Sequence, residues 1–141
     1  MPLARALLVV LVALGCSAPA GPTRSPSPDA RAAGYVAPEE AAALIEECGV
    51  TGTVDAYFRI PPGQTYHDIF PDMGLSPELD GAEEPFVVIY SGDISFMSTA
   101  PLPTLRNAVC MFAADGTHNI YPDVPLEVMR LPGGAHLGPP E

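Results

Sequence analysis

An α+β fold is predicted, with one N-terminal amphipathic helix packed on a small, mostly antiparallel sheet of about four strands. Three observations lead there. One stretch alone holds a helical period, several short β-branched and aromatic runs follow it, and no strand–helix–strand rhythm builds a parallel sheet. The 18 Pro and 13 Gly among 141 residues favour many turns over long helices. At this length one domain is expected, over residues 35–131, with a loose tail at 132–141.

The helix is read from "PEEAAALIEECG". Pro38 suits a first turn, and Glu39 and Glu40 complement the positive end of the helix dipole. Ala41, Leu44, Ile45 and Cys48 fall at i, i+3, i+4 and i+7 and form one apolar stripe; Gly49 is a stop. "TVDAYFRI" then alternates, with Val54, Ala56, Phe58 and Ile60 on one face and Thr53, Asp55, Tyr57 and Arg59 on the other. That is a half-buried strand, ended by Pro61-Pro62-Gly63.

Residues 61–85 read as a long irregular connection, with Phe70, Met73 and Leu75 tucked under the sheet and Asp80-Gly81 as a turn. "PFVVIYSG" is too short and too β-branched for a helix and reads as a central strand. A Pro-broken loop over 92–106 follows. In "NAVCMFAADGTHNIYPDV" two strand-like runs flank Asp115-Gly116, a pair suited to a tight hairpin turn, and Pro122 ends the second run.

The domain holds two cysteines, Cys48 on the helix stripe and Cys110 in the last apolar strand. A helix laid across a sheet brings such positions together, so a Cys48–Cys110 disulfide is expected in an oxidising compartment. No CxxC is present, and neither cysteine has a His or a base beside it in sequence.

Charge excludes one partner class. Six Arg and no Lys face 17 acids, a net charge of −11. Nucleic acid is not expected to bind, because Lys and Arg neutralising phosphates supply most of that affinity. A cation, a basic peptide or solubility alone suits such a surface.

The first twenty residues carry an address. Ala6–Gly15 is an apolar run behind Arg5, too short for the ~20 residues of a spanning helix and fitting a secretory signal over residues 1–15. "ALGC" at Ala13–Cys16 resembles the lipobox of bacterial lipoproteins, with Ala13 and Leu14 nearly reversed from the usual order. "APA" at Ala18–Ala20 competes as an ordinary cleavage site. The lipobox is preferred, because Cys16 stands where the apolar run ends and the Pro/Ser-rich stretch at 17–34 reads as a tether. The resemblance implies an exported protein with Cys16 lipidated and with the membrane as partner through that anchor; its fold and its ligand are not implied.

The remaining chain has no motif of a familiar catalytic kind: no GxSxG, HExxH, glycine-rich phosphate loop or EF-hand spacing. No catalytic residue, metal ligand set or cofactor is therefore assigned. The expected function is a non-enzymatic binding module for an unknown protein or small ligand. Its surface is sought in the two long loops, with Tyr66, His67, Phe96 and Arg106 as the residues to test. Two rivals stay open. An exported hydrolase would start from His67-Asp68 with Ser76, Ser91 or Ser95 as nucleophile, and would need them in one pocket. A copper carrier would gather His67, His118, Met97 and Met111. The acidic stretch Glu78–Glu84 lacks the alternating ligands of a calcium loop and reads as a solvated turn.

Overall fold

The computed structural model describes residues 26–101 and 103–141. The expected signal peptide, the lipidated Cys16 and the tether up to residue 25 lie outside the described residues. Helices and an antiparallel sheet are combined, in the order α1 (Pro28–Ala32), α2 (Pro38–Cys48), β1 (Thr51–Arg59), α3 (Tyr66–Ile69), β2 (Phe86–Ser95), β3 (Asn107–Phe112), β4 (His118–Pro122), a 3-10 turn (Leu126–Val128) and β5 (His136–Leu137). The sheet runs β4-β3-β2-β1-β5, and its neighbours pair antiparallel. Among the described residues no helix is long and apolar enough to cross a membrane.

The sheet has five strands rather than about four, and the fifth comes from the segment expected as a loose tail. His136 and Leu137 pair with Tyr57 and Ala56 of β1. Gly134 N–H donates to the Ala33 carbonyl at 2.7 Å and Gly138 N–H to the Asp55 carbonyl at 2.8 Å. A two-residue strand has no period for a sequence to display, which is why composition alone hides it.

Residues 27–34, expected as the end of a tether, carry structure of their own. Ser27 caps α1 by accepting from Ala30 N–H at 3.2 Å, with Pro28 in the first turn. The Gly34 carbonyl then accepts Arg59 N–H at 2.8 Å, so residues 33–35 lie between the end of β1 and the C-terminal segment. Gly34 is needed there: its φ is +88°, and a Cβ would collide with the Arg59 carbonyl oxygen.

Both faces of the sheet are buried. One bears Ala56, Phe58, Ile60, Val87, Ile89, Val109 and Met111, covered by Ile69, Phe70, Met73 and Leu79 from the connection after β1. The other bears Tyr57, Phe86, Val88, Tyr90, Cys110 and Phe112, in one cluster with Ala41 and Cys48 of α2. Tyr57 is therefore a core residue, not the solvent side of a half-buried strand. Val54 also departs from the alternation. A bulge between Val54 and Ala56 places Val54 opposite Tyr90 and Ala56 opposite Ile89, so Val54 packs on the α2 side while Ala56 packs on the other.

Cys48 and Cys110 are bonded, with Cα atoms 6.5 Å apart and a sequence separation of 62. The bond ties the last turn of α2 to the middle of β3.

Candidate functional site

The groove at one end of the sheet is built by the chain leaving β1 and the chain entering β2. Antiparallel register puts Arg59 opposite Phe86, and Phe86 opposite Phe112, so these ends are adjacent. Residues 60–67 form one lip and residues 79–85 the other, around a cavity of about 520 Å³. Ile60 and Leu79 give it an apolar floor rooted in the core, with half-buried Leu75 beside them.

The first lip is set by a capped helical turn. Thr65 N–H and Oγ donate to the Asp68 carboxylate at 2.7 and 3.0 Å, closing a capping box at the start of α3. The backbone bond from Thr65 and then its hydroxyl hold the Asp68 carboxyl below the usual carboxylate range. The turn presents Tyr66 and His67 with ring centroids 3.9 Å apart, and both line the groove. The sequence shows this turn as Thr65-x-x-Asp68, the spacing of a capping box, although it reads there as irregular.

The second lip is acidic. Asp80, Glu83 and Glu84 line it, after the Leu79–Ala82 backbone turn closed at 3.1 Å. Glu84 adopts a φ of +45°, uncommon for a side chain of its size. Its carbonyl accepts from the Arg59 guanidinium at 3.1 Å, and its carboxylate lies 3.8 Å from that of Arg31 in α1. Arg59 is also paired with Glu40 of α2. Glu84 is thus the ridge between the groove and a second hollow of about 370 Å³ lined by Arg31, Tyr35, Glu40 and Arg59.

The four residues sought as one binding surface are divided. Tyr66 and His67 lie at the groove, but Phe96 and Arg106 lie past the opposite ends of β2 and before β3. Ten residues of β2 separate those ends by roughly 30 Å. Phe96 is half-buried, and Arg106 is exposed with its N–H donating to Asp123 at 2.8 Å. The acidic stretch at 78–84 lies in the 61–85 connection sought as a binding surface, but its residues were read as a solvated turn and not named; Asp80 and Glu83 are exposed and, with Glu84, line the groove.

The structure does not assemble the triad of the rival hydrolase. No serine lines the groove beside His67, and Asp68 is engaged by Thr65 rather than by the imidazole. Ser76 Oγ lies 3.1 Å from the Tyr121 hydroxyl, and Ser91 donates to Asp55 at 2.8 Å. The copper set is also scattered. Met111 is fully buried in β3, Met97 is wholly exposed in the 92–106 loop, and His118 stands on β4 against Phe112. His136, on β5, lies about 19 Å from β4 across the sheet at ordinary strand spacing. Among the described residues, no three His, Cys, Asp or Glu converge as metal ligands.

The groove can therefore hold a ligand by shape, aromatic contact and negative charge, and it offers no assembled nucleophile. Compared with protein-family models, curated proteins and solved structures, the chain matches none.

Proposed function

We propose that the protein is exported, held on the cell envelope by a lipid on Cys16, and that its domain is a non-enzymatic binding module. The observation carrying the binding role is the groove of about 520 Å³, with an apolar floor and polar lips, at the end of the longest connection. Sites for organic ligands have volumes of about 300–1,000 Å³ and this mixed lining. In this reading α2 is the amphipathic cover of the second sheet face, and the disulfide keeps that cover closed outside the reducing cytosol. The address rests on the apolar run at Ala6–Gly15 and on Cys16 at its end.

Two measurements test the two halves. Intact mass of the mature protein from detergent-extracted membranes should correspond to a chain starting at Cys16 plus acyl groups, and Cys16→Ser should release the protein from the membrane. A soluble species starting at Gly21 would overturn the anchor and make Ala18–Ala20 the cleavage site. A fragment screen followed by backbone amide shifts should concentrate hits on residues 63–67 and 79–84. Hits confined to the 92–106 loop would overturn the groove as the site.

A further inference from the structure

We infer that the groove takes a positively charged side chain with an aliphatic stem, presented by an extended, apolar-flanked segment of a partner protein. The inference rests on the groove being the binding site, and concerns what fills it.

The charge of the lining points one way. Asp80 and Glu83 line the second lip, and among the described residues neither has an ion-pair partner. Glu84 shares its carboxylate with Arg31 only at 3.8 Å, with the Arg31 side chain 65% exposed. No Arg lines the groove and the chain has no Lys, so a cationic occupant meets no competing positive charge of the chain's own there. The net charge of −11 attracts cations over the whole approach and repels anions.

The opposite lip fits the same occupant. The rings of Tyr66 and His67 stand across from the carboxylates, and a Tyr face adds attraction for an ammonium or guanidinium near it. Half-buried Leu75 between the lips, above the buried Ile60 and Leu79, offers apolar contact to the stem, as long cationic side chains require. The volume exceeds the needs of one ammonium and falls in the range that encloses drug-sized ligands, or a few residues of peptide. Pro61, Pro62 and Pro85 in the walls have fixed φ and no N–H to donate, which reduces ladder bonding to a bound strand and gives more weight to its side chains.

The test uses the mature chain with its disulfide intact and three probes: acetyl-Leu-Arg-Leu-amide and its Gln and Glu counterparts. The Arg peptide should shift amides of residues 63–67 and 79–84, bind about tenfold more tightly than the Gln peptide, and weaken with added salt; the Glu peptide should not bind. Asp80→Asn with Glu83→Gln should remove most of that preference, and Glu83→Gln alone part of it, with the circular dichroism spectrum unchanged. Equal binding of the Arg and Gln peptides at the groove would overturn the cation while leaving the groove as the site. Shifts outside the groove for every probe, or none for any, would overturn both.

Discussion

The ring of His136 stacks on that of Tyr57, with centroids 4.8 Å apart and planes 25° from parallel. The contact joins the C-terminal segment to a core residue of β1. It is backed by the pairing of β5 with Ala56 and Tyr57 and by the bonds from Gly134 and Gly138. Ending the chain after Leu131 should therefore lower the unfolding free energy by about 2 kcal/mol. An unchanged urea midpoint would mean that β5 contributes nothing to stability.

Replacing both Cys48 and Cys110 by Ala should cost about 4 kcal/mol in the chain-entropy account of a 62-residue closure. Urea denaturation of the wild type with and without reductant should show the same loss, together with a steeper denaturant dependence as the freed unfolded chain exposes more surface. Identical midpoints in the two conditions would remove the disulfide from the account of stability.

Tyr90 leads to the opposite sign. Its hydroxyl is buried without a hydrogen-bond partner among the described residues, as is that of Tyr57. Tyr90→Phe should therefore stabilise the domain by about 1 kcal/mol, since no bond is lost and an unpaired dipole is removed. A clear loss in thermal midpoint would show that the hydroxyl has a partner.

The same residue governs alkaline stability. Burial pushes the Tyr90 phenol from its ordinary 10.0 up to about 12. The unfolded chain then releases its proton first, so the unfolded state binds fewer protons than the native state above pH 10 and stability falls as pH rises toward 12. Burial raises the Tyr57 phenol as well, with Tyr35, Glu141 and Glu39 adding to the shift, and it acts in the same direction. Tyr90→Phe should flatten part of this alkaline slope in unfolding experiments followed by tyrosinate absorbance. An equal slope in wild type and variant would contradict the assignment.

At Gly34 the expected effect is steric. Ala there would need a φ near +88° and would press its Cβ into the Arg59 carbonyl, so Gly34→Ala should cost about 2–4 kcal/mol. A thermal midpoint equal to that of the wild type would mean that residues 33–35 pull away from β1 freely.

Much of the sheet was legible because its evidence is local. The alternation from Ala56 to Ile60, the β-branched run at Phe86 and the Asp115-Gly116 pair each lie within a few residues, and β1 to β4 form there. What was hidden depends on partners distant in sequence. The bulge beside Asp55 arises from pairing with β2, so period two assigned Val54 to the wrong face. Tyr57 reads as exposed only while one face of the strand is taken to meet water; a second covering layer changes that. Tyr66, His67, Phe96 and Arg106 were grouped because each sits in a long loop, and the first two alone line the groove. The two loops flank the same strand, β2, and so leave from its opposite ends; grouping them by length alone passed over that consequence of chain order.

The Cys48–Cys110 bond has a topological effect apart from its energy. Every residue that lines the groove, from Ile60 to Pro85, lies inside the covalent ring that it closes. A protease that nicks the chain once on either lip produces no separable fragment: the two pieces stay joined, and the buried floor still holds the lips together. Under the export proposed above, where cleavage is common and resynthesis cannot reach, a domain so tied keeps its pieces together through a single cut.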